Sequence, residues 1–201
     1  MMDISASGLV LVKHYEHPRV TEGKCYLYRD GTGRHKGGVL TIGFGHVVSE
    51  SDAHQYKAGI SIEQATAILH DDLAKFVRAT NSLVKVPLNQ NQFDACISLI
   101  MNNGELPLHK RVGQYLNARQ FDEAAQQFQL WCNAEVKGKF GPVAGLFYRR
   151  LTETLLFLTG EIIFAHTWLA AQPILTKIRS YMAVHGKACM VPRYKPGQFV
   201  G

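Results

Sequence analysis

Strand-like patterns in this chain of 201 residues are confined to one short region near the N-terminus, and this limits the fold more than any other feature. Residues 25–28 are strand-like, residues 30–38 are rich in glycine, and residues 39–48 are strand-like again. The rest of the chain repeats its apolar residues at helical spacing. We therefore predict an α+β fold that is mainly helical, with a small β-sheet lobe and a larger helical lobe.

The helix boundaries follow from capping residues, prolines and glycines. Asp3 can cap a first helix that runs to about Glu16. Ser61 and Gln64 form a candidate capping box at the start of a long second helix. Further helices are predicted at about residues 89–103, 108–117, 120–134 and 142–158, followed by one to about residue 171 and another after residue 173. Two lobes of this kind imply a cleft between them, where binding sites are common.

The net charge of +6 and the isoelectric point near 9.2 indicate an anionic partner. Nucleic acid, acidic lipid and the bacterial cell wall all fit that description. The basic residues are dispersed along the chain, so we do not expect nucleic acid as the partner. An apolar fraction of 46% and a charged fraction of 19% argue for a folded chain and against disorder.

Neither an export signal nor a membrane-spanning segment is expected from the sequence. The N-terminus lacks a basic stretch followed by an apolar core. The densest apolar run, residues 155–171, is broken by Gly160 and interrupted by Glu161 and His166, so packed helices are the better interpretation. Four scattered cysteines form no C-x-x-C pair, which predicts reduced thiols and no zinc site. We expect synthesis in a bacterial cytoplasm.

Two carboxylates and one hydroxyl before residue 46 suit the hydrolysis of a glycosidic bond. Glu16 lies at the predicted end of a helix, where the macrodipole disfavours the ionised form, as a general acid requires. Asp30 is a candidate base or electrostatic partner. Thr41 precedes Gly43 and Gly45, and glycines in a strand often permit close approach of a ligand or another backbone.

Each of these residues also has a purely structural interpretation. Glu16 could be an exposed helix-end residue paired with His17 or Arg19. Asp30 before Gly31 could close an Asx turn on its own backbone. No H-E-x-x-H motif, G-x-S-x-G elbow or phosphate-binding loop occurs, so no metal, nucleophilic serine or nucleotide cofactor is expected.

Several segments, taken in order, resemble the phage-type lysozymes, the endolysin glycosidases of tailed phages. A helix that ends in glutamate, a Tyr-x-Asp element and a Thr-Ile-Gly-aromatic-Gly-His signature occur in the family's order. They are Val12-Lys13-His14-Tyr15-Glu16, Tyr28-Arg29-Asp30 and Thr41-Ile42-Gly43-Phe44-Gly45-His46. Three later segments agree: residues 87–95, residues 101–104, and residues 145–150 with Glu153. The match spans about residues 5–160.

The resemblance implies a lysozyme-like fold and cleavage of the β-1,4 bond between N-acetylmuramic acid and N-acetylglucosamine in peptidoglycan. It makes Glu16 the general acid, while Asp30 and Thr41 position or activate the water. Residues at the family's sugar-lining positions are Val47, Met101 and Gln127. His46 would pair with Asp72 and tie the sheet lobe to the long helix. The implied partner is the glycan strand of the cell wall in the periplasm. The resemblance also implies a monomer that needs no cofactor.

The chain departs from the family in its spacers and at its end. Thirteen residues separate Glu16 from Asp30 and ten separate Asp30 from Thr41, more than the family usually has. We interpret the additions, around residues 20–24 and 34–38, as loop extensions, with Glu22 as a competing acid and His17 in place of a glycine.

The resemblance also sets the predicted domain organisation. A catalytic domain covers residues 1–160, with a β lobe at about 18–60 and a helical lobe at about 61–160. Residues 161–201 form a C-terminal extension, whose role could be wall binding, membrane contact or packing. The alternatives to a phage endolysin are a secreted antibacterial muramidase toxin and a catalytically weak wall-binding relative.

Overall fold

A computed structural model describes residues 1–31 and 38–200 of the chain. Most of the predicted loop extension at residues 34–38 therefore lies outside the described residues. The chain divides into two compact units. One comprises Leu9–Lys75, and the other comprises Met1–Gly8 together with the chain from Phe76 onward. Each unit is described by itself below.

The unit Leu9–Lys75 contains two small antiparallel sheets. The strands are β1 (Val20–Thr21), β2 (Lys24–Cys25), β3 (Tyr28–Asp30), β4 (Val39–Ile42), β5 (His46–Val47) and β6 (Ile60–Ser61). The first sheet has the strand order β1-β2-β6 and the second has the order β3-β4-β5. A short 3₁₀ helix, Ala53–Tyr56, precedes β6.

Residues 39–48 do not form the single strand-like segment expected from the sequence. A three-residue turn, Gly43 to Gly45, separates β4 from β5 and folds one back on the other. Gly43 has a φ of +59°, and a Cβ atom built on it would lie 3.0 Å from the Cβ of Ala65. The glycine at this position therefore permits close approach of the turn to a helix.

Helices make up most of the described residues. Two of them, α1 (Ala6–Glu16) and α2 (Ile62–Leu83), contribute to the unit Leu9–Lys75. The others are α3 (Gln90–Asn103), α4 (Leu106–His109), α5 (Arg111–Asn117), α6 (Phe121–Gln127), α7 (Ala144–Thr159) and α8 (Gln172–Val184), with a 3₁₀ turn, Phe128–Cys132, directly after α6. The prediction of an α+β, mainly helical fold is confirmed.

Capping side chains fix two of these helix starts. Ser61 Oγ accepts a hydrogen bond from Gln64 N at 3.2 Å, and Gln64 Oε1 accepts one from Ser61 N at 2.8 Å, which confirms the predicted capping box. At α1 the cap is Ser5 and not Asp3, because Ser5 Oγ accepts from Gly8 N at 3.2 Å. Asp3 instead accepts from the adjacent Ile4 N at 2.7 Å.

A β-hairpin replaces part of two predicted helices. Strands β7 (Asn133–Val136) and β8 (Lys139–Pro142) pair antiparallel, where the sequence had predicted helices at 120–134 and 142–158. Lys137 and Gly138 form the two-residue turn with φ values of +49° and +76°. A turn with positive φ at both central residues suits a two-residue hairpin loop.

The C-terminal segment shares a hydrophobic core with α7. Tertiary packing fixes residues 161–171 without the predicted helix, and α8 follows from Gln172. Thr152 Oγ1 on α7 donates to Ile163 O at 2.9 Å, which ties this segment to the helix. The buried members of the core include Leu151, Leu155, Ala165, Ala171, Ile174, Leu175, Ile178 and Met182. Among the described helices, we find none that combines the length and the apolarity needed to cross a bilayer.

Candidate active site

Four residues of the predicted site region lie on one face of the β3-β4-β5 sheet. Tyr28 lies directly opposite Thr41 in the antiparallel β3-β4 ladder, so their side chains share a face. Asp30 is two residues beyond Tyr28 in β3 and therefore projects from the same face. On the other neighbouring strand, β5, Val47 lies opposite Thr41 and is 63% exposed.

The Thr41 hydroxyl is buried, and its proton is already engaged in a hydrogen bond. Its side chain is 4% exposed, and its Oγ1 donates a hydrogen bond to the Val39 carbonyl oxygen at 3.0 Å. A hydroxyl offers one donor and two acceptor lone pairs. The Thr41 oxygen can therefore still accept a hydrogen bond from a bound molecule.

Tyr28 connects the two candidate carboxylates electrostatically. Burial raises the pKa of its phenol, and the negative charges of Asp30 and Glu16 raise it further, while Arg19 lowers it. Both carboxylates therefore act on the same side chain. The guanidinium of Arg19 lies over the Tyr28 ring, 4.0 Å from its centroid. This stacking contact has no signal in the sequence.

Glu16 is the last residue of α1 and is half-buried. The preceding turn of the helix is anchored by Leu11 and Val12, which are fully buried. Lys13 lies over the ring of Phe44, 5.3 Å from its centroid. The end of the helix is thus held against the turn that carries the glycine motif, within the same unit.

Glu22, the competing acid, lies in a tight turn of the backbone. Glu22 and Gly23 form the turn between β1 and β2, with φ values of +50° and +76°. The side chain of Glu22 is exposed. The extra residues between Glu16 and Asp30 therefore include a hairpin, and Asp30 keeps its register opposite Val39.

His46 and Asp72 form the pair expected from the resemblance. His46 Nδ1 lies 2.9 Å from Asp72 Oδ2 and 3.1 Å from Asp72 Oδ1. The contact joins β5 to α2. Both side chains are about one third exposed, at 31% and 36%.

The other two candidate substrate residues, Met101 and Gln127, belong to the second unit. Met101 is half-buried on α3. Gln127 lines a cavity of about 300 Å³ together with Lys110, Arg111, Leu130 and Trp131. The Gln127 side chain is 6% exposed, and its Oε1 atom has no hydrogen-bond partner within the described chain. The sequence did not indicate its neighbours in this cavity.

The segment Gly145 to Glu153, part of the resemblance, forms a buried ionic cluster. Glu153 Oε1 accepts hydrogen bonds from Ser98 Oγ at 2.6 Å, Arg149 Nε at 3.1 Å and Arg150 Nη2 at 2.9 Å. Arg150 Nε lies 2.9 Å from Glu153 Oε2, close enough for an ion pair, although the two groups are not aligned as a hydrogen bond. The cluster lies in the core between α3 and α7, so its role is structural.

No group of three or more His, Cys, Asp or Glu side chains within residues 1–31 and 38–200 is arranged to hold a metal ion. The candidate groups at this site are the carboxylates of Glu16 and Asp30, the hydroxyl of Thr41 and the phenol of Tyr28.

Comparison with known proteins identifies both the family and the fold. Residues 21–153 match the family described as Phage lysozyme. The endolysin of Acyrthosiphon pisum secondary endosymbiont phage 1 is 36% identical over 159 residues, which is 78% of this chain and 98% of that protein. The endolysin of Salmonella phage P22 is also 36% identical, over 79% of this chain and all of that protein.

Solved structures agree with these sequence matches. The muramidase domain of SpmX from Asticaccaulis excentricus has a TM-score of 0.64 at 34% identity and covers 79% of this chain and 99% of its own. A variant of P22 lysozyme has a TM-score of 0.63 at 34% identity and covers 79% of this chain and all of its own. The lysozyme-like fold predicted from the sequence is confirmed. This chain belongs to the phage lysozyme family.

Proposed function

We propose that this chain is a peptidoglycan muramidase that cleaves the β-1,4 bond between N-acetylmuramic acid and N-acetylglucosamine. The observation that carries the proposal is the shared sheet face of Asp30 and Thr41 around Tyr28, a phenol whose pKa the charges of both Asp30 and Glu16 raise. Two carboxylates that act on one small region are what glycoside hydrolysis requires. The family relatives named as endolysins and muramidases support the same activity.

In the proposed reaction, Glu16 donates its proton to the glycosidic oxygen as the bond to the anomeric carbon breaks. A water attacks that carbon from the opposite face of the sugar and loses a proton to Asp30. The Thr41 hydroxyl already donates to Val39 O, so it accepts the water's second hydrogen. With both hydrogens directed at Asp30 and Thr41, a lone pair of the water can face the anomeric carbon. This direct displacement inverts the anomeric configuration.

The remaining site residues take supporting roles in the proposal. His46 and Asp72 hold β5 against α2 in the unit that carries the catalytic groups. Val47, Met101 and Gln127 contact the glycan strand. The Gln127 Oε1 atom is a buried acceptor that an N-acetyl N–H or a sugar hydroxyl would satisfy. We further propose that the enzyme works as a monomer, is made in the cytoplasm and acts on the wall in the periplasm.

The lengthened spacer between Glu16 and Asp30 is the observation that favours a catalytically weak relative. The hairpin of β1 and β2 accounts for part of that spacer, and β3 still pairs in register with β4. This placement supports an active enzyme. A secreted muramidase toxin would use the same chemistry and differ only in its delivery.

Release of reducing sugar ends from purified peptidoglycan tests the proposal. We expect Glu16→Gln to lose about 10²-fold or more of the activity, because an amide cannot donate the required proton. Glu22→Gln, at the exposed hairpin turn, is the matched control and should keep wild-type activity. Circular dichroism and thermal melting should be unchanged in both variants.

Three results would count against the proposal. A wild-type protein that releases no reducing ends is a wall-binding relative and not a muramidase. Full activity in Glu16→Gln would remove that residue as the acid. Retention of the β configuration in the first-formed product, followed by proton NMR, would exclude the inverting mechanism.

A further inference from the structure

The C-terminal tail is bound along α6 and the 3₁₀ turn by three regularly spaced contacts. Lys187 Nζ lies 2.8 Å from Glu123 Oε1. Met190 N donates to Gln126 Oε1 at 2.6 Å, and Arg193 N donates to Gln129 Oε1 at 2.9 Å. Every third residue of the tail meets every third residue of the helical segment, and each pair is 64 positions apart in sequence. We call tail residues 187–193 the strap.

The chain beyond the strap is also anchored. Val200 N donates to Pro142 O at 2.8 Å, and a Cβ atom on Gly141 would lie 2.8 Å from Val200 Cγ1, so the end of the tail lies directly against β8. The Phe199 ring lies 5.2 Å from the Phe147 ring, centroid to centroid. The strap is therefore held in place from both sides, by α8 before it and by this contact after it.

The same helical segment lines the cavity that contains Gln127. Gln126 and Gln129 bind the strap, whereas Gln127, Leu130 and Trp131 line the cavity. The two glutamine bonds to the strap use main-chain N–H groups of the tail, those of Met190 and Arg193. They therefore depend on the two glutamines and not on the identity of the tail side chains.

This segment has little capacity to hold its own shape. Helix α6 has seven residues, and isolated helices of that length are not stable in water. The 3₁₀ turn that follows contains a non-helical residue, Trp131, with φ −96° and ψ 31°. Burial of Phe128 and Cys132 anchors the segment in the core, and the bonds from the strap to Gln126 and Gln129 supply a further constraint beside Gln127 and Trp131.

We propose that Gln126 and Gln129 are positioning residues for substrate binding, which they support by fastening the strap to the segment that carries Gln127 and Trp131. The C-terminal extension then has a defined role, because it keeps the binding cavity in its competent form. The inference rests on the proposed function, since the ligand of the cavity is taken to be part of the glycan substrate. Loss of the strap lowers the competent fraction and weakens apparent affinity by the same factor.

The test uses the full chain with the double substitution Gln126→Met and Gln129→Met, which keeps side-chain length and removes both acceptors. Gln126→Glu keeps an acceptor oxygen for Met190 N and is the conservative variant. Ile178→Val, at a core position of α8, lowers stability while it leaves the Gln126 and Gln129 acceptors in place, and it is the stability control. Hydrogen exchange, reducing-end kinetics and calorimetric binding of an N-acetylglucosamine hexamer are measured for each variant.

In the double variant we expect faster exchange of the amides of residues 121–132 and a KM raised roughly fivefold or more, with kcat within about twofold of wild type. The hexamer should bind more weakly by a similar factor. Gln126→Glu and Ile178→Val should keep the wild-type KM and hexamer affinity. Unchanged amide exchange in the double variant would show that the strap does not hold residues 121–132 in place. Faster exchange with unchanged KM and hexamer affinity would show that the strap has no role in binding.

Failure of the proposed function gives a different result. A wild-type protein that binds the hexamer but releases no reducing ends is not a muramidase, and hexamer affinity then decides the positioning role by itself. A wild-type protein that neither cleaves nor binds would end both proposals. The exchange measurement still reports on the strap in every case.

Discussion

His46 Nδ1 on β5 contacts both carboxylate oxygens of Asp72 on α2, at 2.9 and 3.1 Å. The two residues are 26 positions apart in the sequence. The contact fixes the strand after the Gly43–Gly45 turn to a helix that the turn already approaches closely. It therefore contributes to the placement of β4, which carries Thr41.

Asp72→Ala should lower the thermal midpoint, and Asp71→Ala should not. The loss is expected to be about 1 kcal/mol at most, because both side chains of the pair are about one third exposed and solvent screens their attraction. Asp71 is the neighbouring exposed carboxylate on the same helix, so it controls for the loss of charge. Equal midpoints for the two variants would show that the pair does not stabilise the fold.

Thr41→Val should remove most of the activity, and Thr41→Ser should keep much of it. Valine has the same shape but cannot accept a hydrogen bond from the attacking water, and we expect a loss of about 10²-fold in reducing-end release. Valine also leaves the Val39 carbonyl without its 3.0 Å hydrogen bond, at a cost of about 1 kcal/mol in unfolding free energy. A fully active Thr41→Val variant would remove the hydroxyl from the mechanism.

The contact between Lys187 and Glu123 should make the strap sensitive to acid. The hydrogen bond from Lys187 is the main cause that holds the pKa of Glu123 below its ordinary value of 4.5. A lowered folded-state pKa contributes stability that is present above pH 4.5 and is lost as the pH falls through the folded value.

Wild type should therefore melt at a higher temperature than Glu123→Gln at pH 7, and the difference should shrink as the pH is lowered to 3. Glu135→Gln, at the exposed position of strand β7, serves as the charge control and should melt at the same temperature as wild type at both pH values. A difference in melting temperature between wild type and Glu123→Gln that has the same size at pH 7 and pH 3 would contradict the ion pair as its source.

Local signals in the sequence were enough to predict the parts that carry the candidate chemistry. The end of α1 at Glu16, the Ser61 capping box and the helix start at Asn89 depend on residues within one turn of each other. The position of Asp30 opposite Val39 could not be read from the sequence, because register depends on pairing across a segment of unusual length.

Elements that depend on distant contacts could not be predicted. The β7-β8 hairpin turns at Lys137-Gly138, which lacks the Asn-Gly or Asp-Gly pair that usually marks such a turn. The spacing of Gln126 and Gln129 is that of an ordinary helix face, and their partners lie 64 residues away. Packing against α7, and not local propensity, determines residues 161–171.

The buried cluster around Glu153 gives the largest expected effect on stability. Glu153 is fully buried and is the carboxylate that balances two buried guanidinium groups, Arg149 and Arg150. Glu153→Gln keeps the size of the side chain but removes the negative charge that lies against both guanidinium groups in the core. Breaking a buried ion pair in this way costs about 3–5 kcal/mol of unfolding free energy.

Glu161→Gln is the matched control for this substitution. Glu161 also pairs with a cation, Lys177 at 2.8 Å, but both side chains are nearly half exposed. Removal of an exposed pair should change stability by less than about 1 kcal/mol. Urea unfolding of the two variants at pH 7 separates the cases. A Glu153→Gln variant as stable as Glu161→Gln would mean that water reaches the cluster and that the two arginines are not desolvated.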